Sequence, residues 1–91
     1  MTSVKPKARD DLAVVELDGE AVVFDERTSD LHYLNPTATL VFGLCDGTGT
    51  VEELAADIAA AYGADEGAIR RDVAAAVDEF ARSGLLTGDP G

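Results

Sequence analysis

The chain has 91 residues, 18 acidic against 7 basic side chains, a formal net charge of −11, one cysteine and one histidine. That length specifies one domain with a small core, since a fold of this size buries only about 60% of its unfolded surface. The single cysteine excludes an internal disulfide, the acidic balance opposes nucleic acid as a ligand, and no run approaches the roughly 18 apolar residues of a membrane helix. Lys5, Lys7 and Arg9 are not followed by the apolar stretch of a signal peptide, so the chain is expected in a reducing cytoplasm.

Met1–Asp11 is polar, contains Pro6 and has no hydrophobic period, which predicts a flexible arm. Leu12–Leu17 is rich in β-formers, Asp18-Gly19 follows, and Ala21–Asp25 is a second β run; Asp-Gly between two such runs predicts a hairpin. Glu26–Asp30 reads as a polar turn and Leu31–Leu34 as a third, shorter strand, and the short connections predict an antiparallel meander. Asn35-Pro36 has the form of an N-cap followed by proline at the first helical position. Helix one is expected over Pro36 to about Cys45, with Ala38, Val41, Phe42 and Cys45 at helical spacing. Thr50-Val51-Glu52-Glu53 is a capping box for a second helix ending near Tyr62, with Gly63 as its stop. Helix three starts near Asp65 and carries a stripe of Ile69, Val73, Val77 and Phe80 up to Gly84. Leu85-Leu86 folds back on the core, and Thr87–Gly91 is expected to be a loose tail. The predicted architecture is therefore α+β: a three-stranded antiparallel sheet followed by three α-helices, in a domain spanning 12–86. The helices cover one face of the sheet, or form a helix-turn-helix core with the sheet beside it; pattern alone leaves both open.

Catalytic and metal chemistry finds no support. Cys45 lies on an apolar stripe between Leu44 and Asp46, the setting of a core cysteine rather than a reactive thiol. One Cys and one His far apart in sequence make no metal-ligand spacing. Asp10-Asp11, Asp25-Glu26 and Glu52-Glu53 fall in loops or at a helix start, where solvation and helix-dipole roles suffice. No Ser, Thr or Cys sits in a nucleophile motif. Gly47-Thr48-Gly49-Thr50 lacks the lysine of a phosphate loop, and Ser29-Asp30-Leu31 scrambles the Asp-Ser-Leu motif of a phosphopantetheine carrier. Two features point instead to binding. The short third strand is a candidate sheet edge, open to an extended peptide. Helix three carries Arg70, Arg71 and later Arg82, which predicts a groove with an arginine rim suited to an acidic, partly apolar peptide.

Leu34-Asn35-Pro36-Thr37-Ala38, Leu44-Cys45-Asp46-Gly47 and Thr50-Val51-Glu52-Glu53-Leu54, with Asp72-Val73, Phe80 and Gly84-Leu85-Leu86 in that order, resemble the PqqD family over about Leu12 to Leu86. The resemblance implies a winged helix-turn-helix-like domain. It also implies a non-catalytic adaptor that binds the leader segment of a ribosomally made precursor peptide and presents it to a modifying enzyme, a radical S-adenosylmethionine enzyme or another maturase. It implies no cofactor. By position, leader contacts fall on Asp30, Leu31, His32, Tyr33 and Leu34 of the strand. On helix three they fall on Ile69, Arg70, Arg71, Val73, Ala74 and Val77, several of which also belong to the core stripe. The competing expectation is a winged-helix transcription regulator, opposed by the acidic balance and the lack of a basic recognition helix. An exposed strand edge also leaves open pairing with a second copy.

Overall fold

The computed structural model describes residues 5–87. Its elements run β1 (Ala13–Leu17), β2 (Glu20–Asp25), β3 (Asp30–Leu34), α1 (Pro36–Gly43), α2 (Val51–Tyr62) and α3 (Glu66–Arg82). The sheet is a meander in the order β1-β2-β3, so β1 and β3 are both edges. Among the described residues no helix is long and apolar enough to cross a membrane.

Turn chemistry sets the register. Asp18 and Gly19 both take positive φ, 54° and 82°, the type I′ geometry that joins twisted antiparallel strands through two residues. It makes Leu17↔Glu20 the first hydrogen-bonded pair, followed by Val15↔Val22 and Ala13↔Phe24. Backbone groups alternate sides along an antiparallel strand. Ala21, Val23 and Asp25 therefore bond toward β3, where they face Leu34, His32 and Asp30. The backbone groups of Leu31 and Tyr33 are left facing the free edge. Ser29, at φ 64°, closes the β2–β3 loop by donating its N–H to the Asp25 carbonyl at 2.7 Å.

The helix ends follow the expected chemistry. The Asn35 side chain accepts the Ala38 N–H at 2.8 Å, with Pro36 next in line. The Thr50 hydroxyl accepts the Glu53 N–H while the Glu53 carboxylate accepts the Thr50 N–H, a complete capping box. Asp65 caps α3 through the Ala68 N–H, and Gly63 ends α2 in the left-handed region. Helix α1 stops at Gly43, two residues before the expected Cys45, with Leu44 as its C-cap.

The core joins Ala21, Val23 and Leu34 of the sheet to Val41 and Phe42 of α1, Leu54, Ala55 and Ile58 of α2, Val73 and Phe80 of α3, and Cys45 and Leu85. Phe42 and Phe80 meet edge to face at 5.2 Å between ring centroids. Helix α2 packs on α3, while α1 touches β2, β3 and α3. Of the two packings that the sequence allowed, this is the helical core with the sheet beside it, and α1 is the joint. The Cys45 thiol donates to the Val41 carbonyl at 3.3 Å, and burial, then the neighbouring Asp46, push its pKa up to about 11. It is the core cysteine that its apolar stripe predicts.

The segment read as a flexible arm behaves otherwise within the described residues. Pro6 is buried, and the stretch after it threads between the α1–α2 loop and the chain that follows α3. The Ala8 N–H donates to the Cys45 carbonyl at 2.8 Å, the Arg9 N–H to that of Leu85 at 2.9 Å, and the Thr87 N–H back to that of Lys7 at 2.8 Å. Thr87, the first residue of the expected tail, is thus bonded; 1–4 and 88–91 lie outside the described residues. Arg9 then locks the stitch. Its Nη1 donates to Asp25 Oδ2 and to the Gly84 carbonyl, each at 2.8 Å, and its Nε and Nη2 fork onto Asp11. Asp25 is 3% exposed, so its charge depends on this partner. This pairing is invisible in the sequence because an edge contact made by three residues leaves no hydrophobic period.

Hydrogen bonds from Arg9 hold the carboxyl groups of Asp25 and Asp11 below their ordinary range. A depressed carboxylate pKa stabilises the fold above the unfolded value near 3.9, and that contribution disappears as pH falls through the folded value. The protein should therefore hold its stability from neutral pH down to about 5 and lose it below about 4. In an Arg9→Met variant, stability at pH 7 should be lower and the acid loss smaller, because Asp25 would be left buried with less compensation. Urea unfolding midpoints followed from pH 7 to pH 2.5 check both statements; coincident curves for the two proteins would show that the clamp contributes nothing.

Candidate functional site

Of the two free edges, β3 is the one that shares a cleft with α3. All five residues of β1 are exposed. The end of β3 instead faces α3 across a cleft of about 460 Å³, lined by Tyr33 and Leu34, by Asn35, Thr37 and Ala38 at the start of α1, and by Asp72, Ala75, Ala76, Glu79 and Phe80 of α3. Sequence periodicity explains the α3 lining. Positions 72, 75, 76 and 79 form a helical stripe beside the core stripe of Val73, Val77 and Phe80. The two middle positions are alanines, which leaves the space open.

Along β3, Leu34 is buried and His32 half-buried toward the helices, while Leu31 and Tyr33 are 69% and 74% exposed. The Tyr33 hydroxyl donates to Glu20 Oε1 at 2.9 Å, and that bond to a carboxylate raises the phenol's pKa. The Nε2 of His32 is buried with no hydrogen-bond partner among the described residues, an uncompensated polar atom on the inner face of the free strand. Cleft, free backbone groups and orphan nitrogen all belong to one edge.

Asp30–Leu34 forms the edge strand as expected. On α3 the expected wall is displaced around the helix. Val73 is core, and Ile69 and Val77 pack partly buried against it. Arg70, Arg71 and Ala74 are exposed and do not line the cleft. At 100° per residue, Arg71 and Arg82 fall on the outermost face of α3 and Arg70 on the flank away from the strand. Arg82 pairs with Asp78 at 2.9 Å and Glu79 at 3.6 Å. The expected arginine rim is replaced at the cleft by two acids, Asp72 and Glu79.

Two further hollows border this edge, one sharing Thr37 and Asp72 with the cleft and one reaching Asp30 at the start of β3. One of about 510 Å³ lies among α1, α2, α3 and the β1–β2 hairpin, lined by Leu40, Ile58, Tyr62 and Ile69 among others. Another is polar and surrounds the Arg9–Asp25 clamp. Among the described residues no group of three or more His, Cys, Asp or Glu could hold a metal ion.

A three-stranded meander followed by three helices, with a cleft between the last strand and the last helix, defines the class of fold. The family model for coenzyme PQQ synthesis protein D (PqqD) matches residues 20–86, and the chain belongs to this family. Solved structures share the fold. "TbiB1 in Complex with the TbiA(beta) Leader Peptide" superposes with a TM-score of 0.77 at 24% identity, covering 93% of this chain and 99% of the other. "Lasso peptide synthetase B1 complexed with the leader peptide" gives 0.76 at 23%, covering 92% and 99%. The PqqD truncation of Methylobacterium extorquens PqqCD, described as a stand-alone recognition element for ribosomally synthesised and post-translationally modified peptides, gives 0.73 at 21%, covering 91% and 88%. No curated protein matches the chain.

Proposed function

We propose that this chain is a non-catalytic adaptor that binds the leader segment of a ribosomally made precursor peptide as a fourth strand on β3 and delivers the precursor to a modifying enzyme. The observation that carries the reading is the free edge of β3, with the backbone groups of Leu31 and Tyr33 unpaired among the described residues, set beside an open cleft against α3. Main-chain bonds at such an edge supply affinity, and the cleft reads alternate side chains. Two solved proteins of this fold are described as complexes with leader peptides, which supports the same role here. Holding the leader raises the effective concentration of the precursor at the enzyme. The enzyme would be a radical S-adenosylmethionine enzyme or another peptide maturase, and the cytoplasm is where a ribosomal product would meet it.

The other side of the sheet supports the delivery half of this role. Val15, Leu17, Leu31 and Tyr33 present an exposed apolar face turned away from the helices, and such a patch suits contact with a second protein. A transcription-regulator role finds no counterpart, since the α3 cleft is acidic and the chain carries −11.

Amide NMR with the leader of the precursor encoded beside the gene tests the reading. Saturable shifts centred on Leu31–Leu34 and Asp72–Phe80 are expected. An unshifted spectrum from the folded protein, with and without the neighbouring modifying enzyme, would refute it.

A further inference from the structure

Resting on the reading that β3 accepts a peptide strand, we infer that the segment it accepts alternates apolar with basic side chains, and that Asp72 and Glu79 of α3 read the basic ones. The lining of the cleft contains two carboxylates and no Lys, Arg or His. A third, Asp30, stands exposed at the start of β3. Asp72 makes no ion pair among the described residues. Glu79 meets Arg82 only at 3.6 Å, while Asp78 holds that guanidinium more closely at 2.9 Å. Both acids thus retain charge that a ligand can answer.

The spacing suits an extended chain. Asp72 and Glu79 are two helical turns apart, about 10 Å along the axis at roughly 1.5 Å per residue. Side chains on one face of a strand recur about every 6.5–7 Å. Two basic residues separated by one or three others therefore reach both carboxylates with the length of their own stems. Ala75 and Ala76 lie between the acids. Their short side chains let a strand backbone come close, and Ala75, Ala76, Leu34 and Phe80 offer an apolar floor to the stems of the basic side chains and, where three residues separate these, to the side chain midway between them, which shares their face. An acidic leader, which the arginines of α3 suggested, would instead meet two like charges.

Selection of peptides of about a dozen randomised residues against the whole chain tests this. Lys and Arg should be enriched at alternate positions. A winning peptide should lose about tenfold in affinity against Asp72→Lys/Glu79→Lys, the scale of two partly exposed ion pairs. That variant should in turn select Asp and Glu. Because any chain this acidic attracts bases at long range, Glu26→Lys/Asp57→Lys provides the comparison, since it changes the net charge equally at exposed sites outside the cleft. It should keep the original preference. Winners without basic enrichment, or equal losses in both variants, would overturn the inference while strand addition still stands. Failure to recover any peptide whose binding depends on the N–H of Tyr33 would overturn strand addition and the inference together.

Discussion

Phe80→Ala should cost the fold about 3–5 kcal/mol, the range measured for emptying a large aromatic site in a packed core. Phe80 is 1% exposed. It is the residue of α3 that reaches toward both α1, through its edge-to-face contact with Phe42 at 5.2 Å, and the cleft beside β3. A 91-residue chain has a total stability of only about 5–14 kcal/mol at the usual 0.05–0.15 kcal/mol per residue. One residue is therefore set against a large share of the whole. The variant should show an early urea midpoint with an unchanged slope. Phe80→Leu, which retains most of the volume, should lose markedly less. If Phe80→Ala unfolds at the wild-type midpoint, α3 is not held to the rest of the domain through this ring.

Local chemistry made most of the elements legible. Asp18-Gly19 is a two-residue hairpin on its face, Asn35-Pro36 and Thr50–Glu53 are helix starts, and Gly63 is a stop; each depends on residues within four positions of one another. The edge strand was legible because three strands in a meander must leave the last one outside. Two things were not. Arg9 meets Asp25 across 16 positions and the Gly84 carbonyl across 75, and nothing local distinguishes an arginine that will be clamped from one that will be solvated. The lining of the cleft is hidden in the sequence for a different reason. The stripe of Ile69, Val73 and Val77 is the strongest pattern on α3, but it marks what the helix buries, and the cleft lies to one side of it. Two alanines between two acids, at 72, 75, 76 and 79, were present in the sequence as a weak signal. Only the angle at which α3 lies against β3 makes that stripe the wall, and α1 sets that angle.

A proline at position 33 should abolish most peptide binding while the domain stays folded. The I′ turn at Asp18-Gly19 and the pairing of Val23 with His32 put the N–H of Tyr33 on the outside of the sheet. Proline removes that donor and costs the sheet none of its backbone ladder bonds, only the exposed Tyr33–Glu20 side-chain bond, which is the circumstance in which an edge strand tolerates it. The incoming strand loses one bond worth about 0.5–1.5 kcal/mol and leaves a carbonyl unpaired at about 1–3 kcal/mol. Together these predict a fall in affinity of at least about tenfold, and nearer a hundredfold if the ring also holds the peptide away. Tyr33→Ala keeps the N–H, so it separates the backbone from the side chain and should bind far better than the proline variant. His32→Pro removes a bond to β2 instead and should unfold the edge. A folded Tyr33→Pro protein with wild-type affinity would mean that the peptide does not pair with β3. The hollow among α1, α2 and α3, lined by Leu40, Ile58, Tyr62 and Ile69, would then be the place to look, because it is an apolar concave surface that does not depend on an open strand.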